Sequence, residues 1–478
     1  MLLSNLSCNI DFWVDLLYII VVHLFFENEN GECKMSRIKS KRRKAIIRRR
    51  VFLSLTCLFL VSVIVGVTVL LSSILKPDTK PQTSSDNKSQ ASQQESQDKV
   101  SSTVTVLSTG DIMVHDTQLN GAYVSETGEY DFSAFFKECA PYFKEADLNV
   151  ANLEVTFGST ESGKYSGYPA FNTPDSLADA IKAAGLNMLL TANNHSYDTG
   201  YFGLTRTAQV LKQRGIDFIG TRETEKDSIY TVKEVNGINI GMANYTYSTV
   251  SGGRKSLNGN QLKEEAENLV STFVYDNAAL QSFYGQVKEV IKDMKTRGAE
   301  FIVFYMHWGE EYHTDANTWQ KSIAQQLCNL GVDIIIGSHP HVIQPVELLV
   351  SEDSQNTTIC LYSTGNAVSN QRQEIMDSCP SGHTEDGMLF SYTLKKTDGE
   401  VTLEEVDIIP TWVNRYRGGG GYLYTIYPLE NPETDIAKYA LDTQATAKAE
   451  RSYERTKAIV AEGLTRCQEE IGCKVTFE

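Results

Sequence analysis

From residue 103 onward, short apolar runs of strand length alternate with segments of helical period, and a polar cluster closes each run. Residues 104–108 lead into Thr109-Gly110-Asp111, with His115 four residues on, and residues 148–151 lead into Asn152-Leu153-Glu154. A helical pattern over 174–184 stops at Gly185, after which 186–190 deliver Thr191-Ala192-Asn193-Asn194-His195-Ser196-Tyr197-Asp198. A second helical pattern, over 202–214, stops at Gly215. Residues 301–306 deliver His307-Trp308-Gly309-Glu310-Glu311; then a helical pattern over 318–330 ends at Gly331, and 332–336 deliver Gly337-Ser338-His339-Pro340-His341. Residues 358–362 lead into Ser363-Thr364-Gly365-Asn366. The alternation predicts an α/β domain over 103–428, with further strands at 401–409 and 422–427 and a helical tail over 429–478.

Side chains just past the carboxyl ends of neighbouring strands share one edge of a sheet, where α/β folds place their ligands. The clusters therefore bring Asp111, Glu154, Asn194, His195, His307, His339 and His341 to one place, with His115, Asp198, Glu311 and Asn366 nearby. Taken singly each has a plainer reading: Asp111 as a turn former, Asn194 as an Asx-turn residue, His195 as a core histidine, Trp308 as packing. The combination outweighs these, because five of the eight histidines fall in the strand-end clusters once His115 is counted. His313 and His383 lie outside them and read as surface residues. Pro340 is expected to hold His339 in an extended backbone.

Ahead of the domain lie two apolar runs. Residues 10–26 contain Asp11, Asp15 and His23 and make a marginal span, whereas 51–75 are twenty-five residues without a charge. That is enough to cross ~30 Å of hydrocarbon at ~1.5 Å per residue. Nine Lys/Arg lie between Arg37 and Arg50, so residues 1–50 are expected in the cytoplasm and the domain outside the cell, on an uncleaved single-pass anchor. Residues 76–102, rich in Ser, Gln, Asp and Lys, read as a disordered stalk.

Charge sharpens this division. Residues 1–75 carry ten Lys/Arg against five Asp/Glu, a net of +5, so the rest holds −21 behind a formal total of −16. So acidic a domain repels nucleic acid unless cations intervene, which argues against a nucleic-acid partner. Nine cysteines without a C-x-x-C spacing argue against a finger-type zinc site. Cys360/Cys379 and Cys467/Cys473 are candidate bridges, with isolated buried thiols as the plainer alternative.

Imidazole and carboxylate donors without thiolate suit manganese, zinc or iron. Seven potential ligands exceed the needs of one ion, which points to two divalent transition metals ~3.5–4 Å apart sharing a nucleophilic water.

The motifs in this order resemble the capsule synthesis protein CapA family, the bacterial poly-γ-glutamate capsule group related to calcineurin-like metallophosphoesterases. The residues carrying the match are Gly110-Asp111, Asn152-Leu153-Glu154, Asn193 to Asp198, His307 to Tyr312, Gly337 to Val342 with Gln344-Pro345-Val346-Glu347, and Tyr362 to Asn366. The resemblance covers about 104–427 and implies a calcineurin-like α/β sandwich. It implies that Asp111 and His341 hold a first metal, that Glu154 bridges, and that Asn194, His307 and His339 hold a second, with His195 the general acid. Where the wider phosphoesterase pattern has Asp-x-His, this chain has Asp111-Ile112-Met113, so a first-metal ligand is missing or replaced by His115. Glu154 stands where an Asp is usual, and Ser196 where an acid is.

Three functions stay open at this stage. One is a metal-dependent hydrolase or transferase of cell-surface polymer synthesis, acting on a phosphoester or amide and working with other membrane proteins on an anionic polymer or phosphorylated substrate. Another is a metal-stabilised scaffold of polymer export or tethering. The third is a surface phosphoesterase for nucleotides or phospholipids, for which Arg206, Arg372 and Arg415 are the nearby cations. Because Met35 opens the basic block, translation is expected to start there. N-terminal peptide analysis of the native protein should begin at Met35, and peptides from residues 1–34 would overturn that expectation.

Overall fold

In the strand Phe301–His307, Phe301, Val303 and Tyr305 enter one buried cluster while Ile302, Phe304 and Met306 enter another. A strand apolar on both faces must be covered on both, and this period of two sets the layering. The computed structural model describes residues 101–418 and 420–477. Two nine-stranded sheets face each other, and helices cover both outer faces.

The first sheet runs β12 (Gly421–Pro428), β11 (Glu400–Gly418), β10 (Asp386–Thr397), β1 (Ser101–Ile112), β2 (Leu148–Leu153), β3 (Met188–Leu190), β4 (Asp217–Ile219). It is parallel from β1 to β4 and antiparallel from β1 through β10 and β11 to β12. The second runs β5 (Ile238–Ser251), β6 (Phe301–His307), β7 (Ile334–Ser338), β9 (Thr357–Leu361), β8 (Val346–Val350), parallel except for β8. Short strands complete each sheet. The expected single edge is therefore an edge shared by two sheets, with the polar clusters meeting across the seam between them.

Local chemistry sets the helix ends. Helix α1 (Ser176–Ala184) buries Leu177, Ala178, Ile181 and Ala184 on one stripe and stops at Gly185, whose φ of +110° excludes most side chains. Helix α2 (Gly200–Arg214) ends on Gly215 in the same way. Helix α4 (Thr318–Asn329) begins in a capping box of Asn317 and Gln320, and with α3 (Asn277–Thr296) it covers the outer face of the second sheet.

Residues 429–478 are largely helical, and the long helix α5 (Thr443–Ile471) is part of the core. Val460, Leu464 and Cys467 join the cluster between the sheets, while Arg455 forks onto Asp386 at 2.7 and 2.5 Å. The chain then adds Lys474–Val475 as a parallel strand beside β11. All six cysteines of the described residues are buried and unbridged, so neither candidate disulfide forms. Among the described residues no helix is long and apolar enough to cross a membrane. The expected span over 51–75, and all but the last two residues of the expected stalk, lie outside the described residues.

Two glycine substitutions in helices should act in opposite directions. A Cβ on Gly463 would stand 2.0 Å from the Val346 carbonyl oxygen, so G463A should cost about 1–3 kcal/mol through overpacking. Gly285 in α3 is exposed with open space around it, so G285A should stabilise by about 0.5–1 kcal/mol. Denaturant titration of the two variants reads both signs.

Candidate metal centre

Strand parity brings the donors together. In β6 the residues facing the inter-sheet seam are 301, 303 and 305, and the next in that series is His307, fully buried. In β2, Leu148 and Val150 face the seam, which puts Asn152 and then Glu154 on the same side. A register shift between Thr109 and Asp111 sets Asp111 opposite Asn152 on β2 and opposite Asn366 on its other flank. Gly110 permits that approach, because a Cβ there would stand 1.9 Å from the Gly365 carbonyl oxygen.

The turn after β7 differs from expectation. His339 has φ +96° and His341 φ +57°, not the extended backbone expected before Pro340. Three contacts overrule the local preference. Asp111 Oδ2 accepts from the His339 N–H at 3.3 Å and from His341 Nδ1 at 3.0 Å, and the Tyr312 N–H donates to the Pro340 carbonyl at 2.8 Å. Tyr312 is itself at φ +67°. Side-chain-bearing residues in this region cost about 1–3 kcal/mol each, and such strain persists where the surroundings over-determine it.

The result is a compact donor set. Glu154, His307 and His339 each bring one ligand atom within 4.8 Å of the others, and so do Asp111, Glu154 and His341, and Glu311, His339 and His341. Glu154 Oε1 lies 3.6 Å from His307 Nε2 and 3.8 Å from His341 Nε2. Asn194 Oδ1 lies 2.7 Å from His307 Nε2, so two ligand-type atoms converge there as well. Glu154 Oε1 and His339 Nδ1 are buried without a hydrogen-bond partner. Orphaned polar atoms in a dry seam are costly, and a shared cation would satisfy them.

Electrostatics point the same way. Burial, reinforced by Asp111 and Glu311, raises the Glu154 carboxyl well above its usual range. Burial, with help from neighbouring imidazoles, holds His307 and His339 well below theirs, so both stay neutral and able to donate a lone pair. Asn152 shares one amide between Asp111 Oδ1 at 2.8 Å and Glu154 Oε2 at 3.1 Å. Ser338 Oγ, 2.9 Å from His307 Nδ1, sets that ring's orientation.

His195 lies at the same edge, with Nδ1 2.7 Å from Asp198 Oδ2 and Phe171 against its ring. Asn366 serves the turn through its amide, which donates to the His341 carbonyl at 3.2 Å, to Gln371 and to Thr384. His115 is not drawn into any of the donor groups; its Nδ1 faces Gln118 at 3.2 Å and the Asn370 N–H at 3.3 Å, and burial pushes its pKa down to about 4. Trp308 is fully buried, with Nε1 donating to the Tyr362 carbonyl, and His313 is exposed. Sequence reasoning missed Asn258, whose amide lies 3.2 Å from both ring nitrogens of His195. Asn258-Gly259 is a hairpin-turn signal between Arg254–Leu257 and Asn260–Gln261, yet nothing local says which histidine the turn reaches.

The family described as bacterial capsule synthesis protein PGA_cap matches residues 105–371. Capsule biosynthesis protein CapA of Bacillus anthracis is 28% identical over 312 residues, 64% of this chain and 67% of that protein. PGA biosynthesis protein CapA of Bacillus subtilis (strain 168) is 27% identical over 304 residues, 63% of this chain and 70% of that one. The solved calcineurin-like phosphoesterase YfkN from Bacillus subtilis overlaps 75% of this chain and 98% of its own at 13% identity and a TM-score of 0.35, too loose a likeness to argue from.

The raised Glu154 carboxyl has a measurable consequence. Its folded-state value lies above the reference of 4.5, so the cation-free protein binds that proton more tightly than the unfolded chain does and loses stability as pH rises past 4.5. E154Q removes this slope. At neutral pH in chelator it should melt above wild type, while added Mn²⁺ should raise its melting temperature less. Parallel thermal melts with EDTA and with MnCl₂ check both signs.

Proposed function

The chain belongs to the bacterial capsule synthesis protein PGA_cap family, and from that premise we propose that it is a membrane-anchored, metal-dependent hydrolase or transferase of cell-surface polymer synthesis. The observation that carries the reading is the convergence of Asp111, Glu154, Asn194, His307, His339 and His341 from both sheets. Two of their buried ligand atoms are left unpartnered. The donor types fit a pair of divalent manganese, zinc or iron ions. Asp111 and His341 would hold one, Asn194, His307 and His339 the other, and Glu154 would lie between them, within a calcineurin-like sandwich. When bound, such a pair supplies Lewis acidity and a water acidified enough to attack a phosphoester or amide.

The protein's own groups then do specific work. Asp198 accepts the hydrogen bond of His195 Nδ1–H, so that in the protonated ring Nε2–H faces outward as the proton a leaving group would take, with Asn258 beside the ring. Phe171 covers one side of the imidazole, and its N–H donates to Asp198 Oδ2 at 2.7 Å, which fixes the acid in turn. Residues 51–75 would hold this site outside the cell, beside other membrane proteins of a capsule or polymer machinery and facing an anionic polymer or phosphorylated substrate.

A nucleotide or phospholipid phosphoesterase has less support. Arg206 is engaged with Asp175 at 2.7 Å, Arg372 is buried on Glu385 at 2.6 Å, and Arg415 lies 3.7 Å from Glu374. These pairings leave little cation for a phosphate tail.

Catalysis and scaffolding separate at His195. H195A should keep the fold and the bound metal but lower turnover by about 10²–10⁴-fold, seen as loss of surface polymer in cells carrying only that allele. Unchanged polymer with normal protein levels would leave only the scaffold reading.

A further inference from the structure

The ion expected beside His341 has a thin set of ligands. His341 uses Nδ1 on Asp111, which leaves Nε2 as its ligand atom. Both Asp111 oxygens are engaged, Oδ1 by the Asn152 amide and Oδ2 by His341 Nδ1 and the His339 N–H. Met113 is turned into the helix-side core, and His115 joins none of the donor groups. A further donor has to come from elsewhere.

Glu311 is placed to supply it. Its Oε1 lies 4.0 Å from His341 Nε2, which in turn is 3.8 Å from Glu154 Oε1. Two donors each ~2.1 Å from a common ion are ~3–4 Å apart, so these separations suit a shared cation. The Glu311 side chain is 39% exposed whereas those of Asp111, Glu154 and His341 are at most 1% exposed, so it closes the set from the solvent side.

The backbone around it is built for placement. The loop carrying Glu311 is stitched to the histidine turn by the Tyr312 N–H on the Pro340 carbonyl, with Tyr312, His339 and His341 all at positive φ. The Tyr312 hydroxyl, held in its neutral form by burial and then by the neighbouring Glu311 carboxylate, receives Gln371 Nε2 at 3.3 Å. Gln371 Oε1 accepts from Asn366, whose amide also holds the His341 carbonyl. One hydrogen-bonded chain thus ties Tyr312, the residue after Glu311, to His341, the kind of outer support that orients metal ligands. Neighbouring Glu310 is placed differently: it is exposed and lies 4.0 Å from the surface residue His313.

We propose that Glu311 is the solvent-side ligand of the ion held by His341. The inference rests on the two-metal reading above and deepens it: the outer ion is the exchangeable one, gated by a carboxylate on a surface loop, while the ion at His307 and His339 is enclosed.

The test is equilibrium dialysis of the full-length protein against MnCl₂, with bound Mn²⁺ counted by elemental analysis and spin coupling read by electron paramagnetic resonance. Wild type and E310Q should bind two ions with a coupled spectrum. E311Q and E311A should keep one at wild-type affinity, weaken the other at least roughly tenfold, and lose the coupling at limiting Mn²⁺. Both ions retained at wild-type affinity in E311Q and E311A would overturn the inference, and so would an equal loss in E310Q. Failure of wild type to bind Mn²⁺ would remove the metal-site reading beneath it.

Discussion

Buried charge without an internal counter-charge is the constraint on which this structure turns. Two carboxylates and three imidazoles meet in the seam between two sheets, all nearly inaccessible to water, and among the described residues no lysine or arginine pairs with them. A seam of this kind is unfavourable on its own terms. The fold responds within its own means by sharing the Asn152 amide between two acids, raising the Glu154 carboxyl and keeping two imidazoles neutral. In the proposed reading, cations would complete the compensation.

The rest of the molecule keeps that seam closed. Parallel strands β1 to β3 and β5 to β7 aim their carboxyl ends at it, while helices α1 to α4 pack the outer faces. Helix α5 seals the seam along its side through Val460, Leu464 and Cys467. Within the site, backbone strain sits at Tyr312, His339 and His341, where hydrogen bonds to Asp111 and Pro340 outweigh local backbone preference. Rigidity around and strain within the site are two aspects of one arrangement, since a turn can hold an unfavourable φ only if its neighbours do not yield.

Much of this was legible in the residues. A polar cluster after each apolar run named the donors, because strand ends and period-two alternation are local properties that sequence carries directly. Three features were not local. The expected single edge became two sheets face to face, since β2 and β6 read alike as buried strands and nothing in either says which sheet it joins. Pro340 predicted an extended His339, and the Asp111 carboxylate, more than two hundred residues away in sequence, decided otherwise. The alternation of buried small and apolar residues in α5 is visible in Ala449, Ser452, Thr456, Val460 and Gly463, but its partner strand β8 lies about a hundred residues earlier. The departure from the wider phosphoesterase pattern left a first-metal ligand either missing or replaced by His115, and Gln118 and Asn370 hold that histidine outside the donor groups.

The central claim is that the seam between the sheets holds two cations. Anomalous diffraction from crystals grown with Mn²⁺ tests it most directly. The account predicts two peaks ~3.5–4 Å apart, one beside His307 and His339 and one beside His341, with Glu154 reaching both. A seam that shows no anomalous peak at these histidines, in crystals grown with excess Mn²⁺ and without chelator, would contradict it.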